Sequence, residues 1–127
     1  MDKNPSEQFS HFASVFPVGD VKKSTEYYRN QLGFTVNFEW GEPPTYAVLK
    51  RGEAVSVHFT KREDDYEPSK THPAIYVFVC DVDAVYEEFT SKGVEIVNPI
   101  GDREYGMRDF DIRDPNGYIL AFATHSS

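Results

Sequence analysis

Val18-Gly19-Asp20-Val21-Lys22-Lys23-Ser24-Thr25-Glu26-Tyr27-Tyr28-Arg29-Asn30-Gln31-Leu32-Gly33-Phe34 reads as one helix with both of its ends marked. Asp20 stands where an N-cap carboxylate can take up a free backbone N–H, and Val21, Tyr28 and Leu32 recur at helical spacing. Gly33 supplies the left-handed residue on which helices commonly end. Ahead of this stretch, Phe9 to Val18 is dominated by Phe, Val and Ala, which predicts a strand. Behind it come three β-like runs, Phe34 to Trp40, Tyr46 to Arg51 and Ala54 to Thr60, parted by Gly41-Glu42-Pro43-Pro44 and by a tight turn at Gly52. The order is βαβββ.

The order then returns. Lys61 to His72 is polar and contains Pro68, as a linker would. Ala74 to Val79 predicts a strand, Asp81 caps a helix with Val82, Val85, Tyr86 and Phe89 on one face, and Gly93 ends it. Glu95 to Ile100, Met107 to Arg113 and Tyr118 to Ala123 are three further strands, and Asp114-Pro115-Asn116-Gly117 has Pro and Gly where a type I turn takes them. Ala13 and Ala74, Asp20 and Asp81, and Tyr28 and Phe89 each stand 61 positions apart, which points to an internal duplication. The expected fold is α+β, two βαβββ modules whose curved mixed sheets enclose a concave cavity. A single domain over residues 1–127 is expected, with module one at about 9–60, a linker at 61–72 and module two at about 73–124.

Composition narrows the function classes. The chain is 39% hydrophobic and 15% aromatic, too apolar for a disordered segment and sufficient for a core without staples. A net charge of −8 with no basic run disfavours a nucleic-acid partner and suits a neutral or cationic one. Cys80 is the only cysteine, which excludes an intrachain disulfide and a Cys₄ or Cys₂His₂ zinc site. Met1 to Glu7 lacks the apolar region of a secretion signal, and no window approaches ~18 consecutive apolar residues, so no membrane partner and a cytoplasmic location are expected.

Three motifs carry a family resemblance. Val18-Gly19-Asp20 followed by Tyr27-Tyr28-Arg29-Asn30-Gln31-Leu32-Gly33-Phe34, Val79-Cys80-Asp81-Val82-Asp83, and Arg113-Asp114-Pro115-Asn116-Gly117-Tyr118 together resemble the glyoxalase/bleomycin-resistance/extradiol-dioxygenase superfamily, over about Phe9 to Thr124. The resemblance implies paired modules, a cavity completed by a second chain in a homodimer, and, in the metalloenzymes, His, Glu or Gln ligands from the first and fourth strands of each module. Those positions fall here on Ala13, Val57, Ala74 and Ala121, with His58 one residue from Val57. A catalytic ion wants at least three protein ligands, so no metal and no other cofactor is expected, and catalysis is in doubt. The departure points to the bleomycin-resistance branch, acidic dimers that sequester a bulky cationic, aromatic drug between subunits. Leu49-Lys50-Arg51-Gly52-Glu53 and Tyr105-Gly106 are similar to stretches of that branch.

If the alanines face the cavity, alternation brings Val15, Tyr76, Phe78, Ile119, Val55, Val57 and Phe59 with them. These side chains either line a ligand basin or fill the sheet. Trp40, Tyr46 and Tyr105 are rings on or beside loops, able to stack on a planar ligand or receive a cation, or else to pack at a dimer contact. His58 is a candidate proton donor or ligand contact, on the face opposite Val57. Met107, Asp109 and Asp111 look into the cavity if Phe110 and Ile112 pack under a helix; the two acids then either attract a cation or pair with Arg or Lys. Glu63 to Glu67 reads as a solvated acidic loop, and His11, His72 and His125 are assigned no role.

The function expected is a metal-free, homodimeric small-molecule-binding protein of the bleomycin-resistance type, holding an aromatic or cationic ligand such as an antibiotic. Two alternatives stand beside it. One is a metal-dependent lyase, isomerase or dioxygenase with displaced ligands, which needs Glu53, His58, Glu104 and Asp111 to converge. The other is an interaction or regulatory protein with a filled cavity.

Overall fold

A computed structural model describes residues 4–126; Met1 to Lys3 and Ser127, the ends of the expected domain, lie outside the described residues. After a 3₁₀ turn, Pro5–Gln8, the chain forms β1 Phe12–Val18, α1 Val21–Gln31, β2 Thr35–Trp40, β3 Tyr46–Arg51 and β4 Val55–Lys61. It then forms β5 Ile75–Phe78, α2 Val82–Ser91, β6 Glu95–Asp102, β7 Met107–Arg113 and β8 Ile119–His125. The helix ends follow from their caps: the Asp20 carboxylate accepts from the Lys23 N–H at 3.0 Å, and Asp81 accepts from the Ala84 N–H at 3.1 Å. Gly33 and Gly93 take φ of +75° and +76°, which a residue with a Cβ adopts only at a cost. The first strand starts at Phe12 rather than Phe9, because its ladder with β4 begins at the Phe12–Val55 pair, where β4 itself begins.

Two mixed four-stranded sheets result, ordered β1-β4-β3-β2 and β5-β8-β7-β6, and neither closes into a barrel. β1 runs parallel to β4 and β5 parallel to β8, while the other pairs are antiparallel. Alternation sorts each strand into two sets of side chains. In the first sheet, Phe16, Val18, Ala47, Leu49, Val57 and Phe59 turn toward α1 and the core. In the second, Phe110, Ile112, Leu120 and Phe122 meet Phe89 of α2, with the Phe89 and Phe122 rings edge-on at 5.2 Å.

These two sets belong to one shared core, and polar bonds cross between the modules. Tyr28 of α1 donates to Asp114 in the β7–β8 turn at 2.6 Å, the Tyr118 hydroxyl donates to the Pro17 carbonyl at 2.6 Å, and the Tyr118 ring stacks on Phe16 at 4.4 Å. Arg51 grips Glu88 of α2 through both guanidinium nitrogens at 2.8 and 2.9 Å. The helix-bearing sides of the modules therefore share an interior, and the opposite face of each sheet carries exposed rings such as Trp40 and Phe78 beside buried residues such as Ser56, Asp109 and Ala121. Among the described residues no helix is long and apolar enough to cross a membrane.

Candidate functional site

Ladder partners point to the same side of a sheet, so the register lays out the helix-free faces residue by residue. In the first sheet Ala13 pairs with Ser56, and Val15 with His58, which pairs in turn with Val48. Tyr46 pairs with both Trp40 and Thr60, and Phe38 with Val48. Tyr46 and His58 thus share this face, with the tyrosine oxygen 2.7 Å from the imidazole Nδ1. Trp40 is 65% exposed. Phe38, Trp40, Tyr46 and Thr60 line a groove of ≈ 610 Å³ together with Glu63, which the acidic loop brings to its rim.

The same register corrects two expected site residues. Val57 and Phe59 are fully buried, and they pack in the core instead of lining the hollow. Parallel pairing puts Ala13 opposite Ser56 and Val15 opposite His58, so the apolar members of β4, Val55 included, lie on the other side. There they remove a valine and a phenylalanine from water, with the Tyr28 ring edge-on to Phe59 at 4.9 Å. The β4 residues on the helix-free face are Ser56, His58 and Thr60.

In the second sheet Phe110 and Ile112 are buried in the core, and Met107, Asp109 and Asp111 occupy the opposite side. Tyr76 pairs with Ala121 and Phe78 with Ala123, which brings both rings to the same face; Phe78 is 63% exposed. Ile119 shares the register of this face yet is buried. Asp109, only 4% exposed, accepts from Arg103 Nε at 2.7 Å, from the Tyr105 hydroxyl at 2.6 Å and from the Tyr76 hydroxyl at 2.9 Å. Burial alone would push its carboxyl up; the bonds from Arg103, Tyr105 and Tyr76 outweigh that and hold it below the usual Asp value. The phenol of Tyr76 is raised, first by burial and then by Asp109, and that of Tyr105 first by its bond to Asp109. Asp111 accepts from the Asn98 amide.

Three residues of these faces were not singled out from the sequence. Phe38 stands two before Trp40, and His125, stacked on Phe78 at 5.8 Å, stands two after Ala123; alternation alone could have found both. Arg103 had no such signal, because its bond to Asp109 depends on how the β6–β7 turn folds back.

The metal expected of the superfamily's enzymes does not fit this chain. Ala13, Ala74 and Ala121 offer methyl groups, leaving His58 as the one donor near the four positions. Among the described residues no three His, Cys, Asp or Glu side chains form a group that could hold an ion, so Glu53, His58, Glu104 and Asp111 do not converge within the chain.

Comparison with known proteins agrees with this architecture. A bleomycin resistance protein of Staphylococcus aureus is 28% identical over 125 residues, covering 85% of this chain and 91% of the relative. The uncharacterized protein YraH of Bacillus subtilis is 30% identical over 115 residues, covering 81% and 88%. Among solved structures, TioX from Micromonospora sp. ML1 superposes with a TM-score of 0.77 at 24% identity, covering 92% of this chain and 99% of its own. The bleomycin-binding protein of bleomycin-producing Streptomyces verticillus, solved with copper(II)-bleomycin, gives 0.71 at 24% identity, covering 94% and 98%. The family model for the Glyoxalase/Bleomycin resistance protein/Dioxygenase superfamily matches residues 8–122, and the chain belongs to that superfamily.

Proposed function

We propose that the chain is a metal-free small-molecule-binding protein of the bleomycin-resistance type, a single domain that holds an aromatic or cationic ligand between two copies of itself in the cytoplasm. The observation that carries this reading is the set of large rings exposed on the helix-free faces: Phe38, Trp40, Tyr76 and Phe78, with Tyr105 beside them. Phe38 and Trp40 line one groove and the Tyr76 and Phe78 rings stand 5.4 Å apart, and clustered apolar surface of this kind marks an interface or a ligand site. The ring faces suit planar or cationic groups, and a net charge of −8 favours a cation over a nucleic acid or an anionic membrane surface. The bleomycin resistance protein among the relatives, and the solved bleomycin-binding protein with its bound copper(II)-bleomycin, support the same ligand class.

The two faces belong to different sheets whose other sides are joined by one core, so a second copy supplies a natural cover for both. Trp40, Tyr46 and His58 of one chain would then oppose Tyr76, Phe78, Tyr105, Met107, Asp109 and Asp111 of the other across the crevice. Titration calorimetry with copper(II)-bleomycin and with metal-free bleomycin, together with sedimentation analysis, tests the reading. The expected outcome is saturable binding by a species twice the 14.5 kDa chain mass. A monomer that binds neither form, or a purified protein carrying stoichiometric zinc, nickel, iron or manganese, would overturn it.

A further inference from the structure

The aromatic face of the second sheet is held by a buried anion. β8 lies between β5 and β7, yet Tyr76 of β5 reaches Asp109 of β7 at 2.9 Å, so its side chain spans β8. The β8 residues paired with Tyr76 and Asp109 are Ala121 and Ala123, whose methyl groups leave the tyrosine room to cross. From the other direction Tyr105, in the β6–β7 turn, reaches the same carboxylate oxygen at 2.6 Å. Arg103 takes the remaining oxygen through Nε at 2.7 Å, and its Nη2 donates to the carbonyls of Pro99 at 2.7 Å and of Asp109 at 3.1 Å. Within the turn, Arg103 N–H donates to the Met107 carbonyl at 2.7 Å and Gly106 N–H to the Arg103 carbonyl at 3.2 Å.

Resting on the reading that this face takes a ligand, we propose that Asp109 is a positioning residue: neutralised by Arg103, it tethers the Tyr76 and Tyr105 hydroxyls and so fixes two exposed rings as a preformed wall for the planar part of the ligand. Tyr105 is 66% exposed and would otherwise sample several rotamers, whose loss on binding weakens affinity. With its charge balanced and both oxygens occupied, Asp109 is not the group that draws in a cation. The planar part of a ligand is what this wall receives, and a counter-charge for any cationic part is left to groups other than Asp109.

The test uses Tyr105→Phe, which keeps the ring and the Arg103–Asp109 pair and removes only the tethering oxygen. Copper(II)-bleomycin is expected to bind this variant roughly threefold to tenfold more weakly, mainly through faster dissociation, the loss due when one freed side chain must be ordered again. Subtracting the alkaline ultraviolet titration of Tyr105→Phe from that of the wild type isolates the Tyr105 phenol, which is expected to ionise above the ordinary tyrosine range. Asp109→Asn should bring that phenol back toward the ordinary range. Wild-type affinity in Tyr105→Phe, or a Tyr105 phenol that titrates as a free tyrosine in the wild type, overturns the proposal. Failure of the wild type to bind any form of bleomycin instead overturns the functional reading, and the phenol titration still decides the tether.

Discussion

Replacing Tyr28 by Phe removes one oxygen at the junction of the two modules, and its cost can be worked out from the structure. The hydroxyl donates to Asp114 at 2.6 Å, both residues are buried, and the other carboxylate oxygen is occupied by the N–H groups of Asn116 and Tyr118, each at 2.9 Å. The ring keeps its packing, so the loss is that of a hydrogen bond to a charged group, about 1.5–3 kcal/mol. For a domain of this length that corresponds to a fall in Tm of roughly 6–12 °C. The deficit depends on pH with a definite sign. Burial already raises the Asp114 carboxyl above the usual Asp value, against the pull of its hydrogen bonds, and losing the Tyr28 donor raises it further. A carboxyl raised in the folded state contributes most below its unfolded pKa of about 3.9, and that contribution is lost as pH rises through the folded value. The Tyr28→Phe deficit is therefore larger at neutral pH than near the unfolded value of about 3.9, because it shrinks as pH falls through the raised folded values and the acid takes up its proton. Urea denaturation at the two pH values measures this. A neutral-pH deficit under about 0.5 kcal/mol, within the range of an ordinary surface substitution, or one that grows on acidification, would refute the role given to this bond.

Trp40→Ala should weaken copper(II)-bleomycin binding by at least about tenfold, as truncated aromatic anchors do, while leaving urea stability within about 0.5 kcal/mol, because the ring is mostly exposed; calorimetry and denaturation read the two separately. Val57→Ala should show the reverse, a stability loss of about 1–3 kcal/mol with unchanged ligand affinity in the folded protein, and a selective affinity loss would return Val57 to the binding face. Glu88→Gln breaks the two-pronged contact with Arg51, but both side chains are a third or so exposed, so denaturation should show a loss under about 1 kcal/mol that diminishes with added salt.

The helices and turns were legible because their signals are local. Asp20 and Asp81 cap by reaching three residues along their own chain, and Gly33 and Gly93 end helices through their own φ, so the spacing of those residues already contains the geometry. Face assignment in β4 was less secure. Counting toward a family ligand position settled on Val57, although Val55, Val57 and Phe59 alternate with Ser56, His58 and Thr60 in the manner of a strand lying under a helix, where the apolar set goes to the helix. In β7 alternation puts Asp109 and Asp111 on the open side on the condition that Phe110 and Ile112 pack under a helix, and both of these are buried in the core. Contacts that depend on the alignment of separate strands left no trace in the order of residues: the Tyr46–His58 pair comes from the β3–β4 register, and Tyr76 reaches Asp109 only because β8 is the strand between them.

One step along β4 or β5 passes from a residue that packs with the core to one that meets whatever lies outside: Phe59 beside His58, Val77 beside Phe78. Because the interior draws on one set only, mutation can rewrite the outward set while the inward set continues to hold both halves together. A duplicated chain with this division inherits two such writable surfaces. The two can differ from each other, as Trp40 and His58 on one half differ from Tyr76 and Phe78 on the other, without either set being vetoed by the architecture beneath.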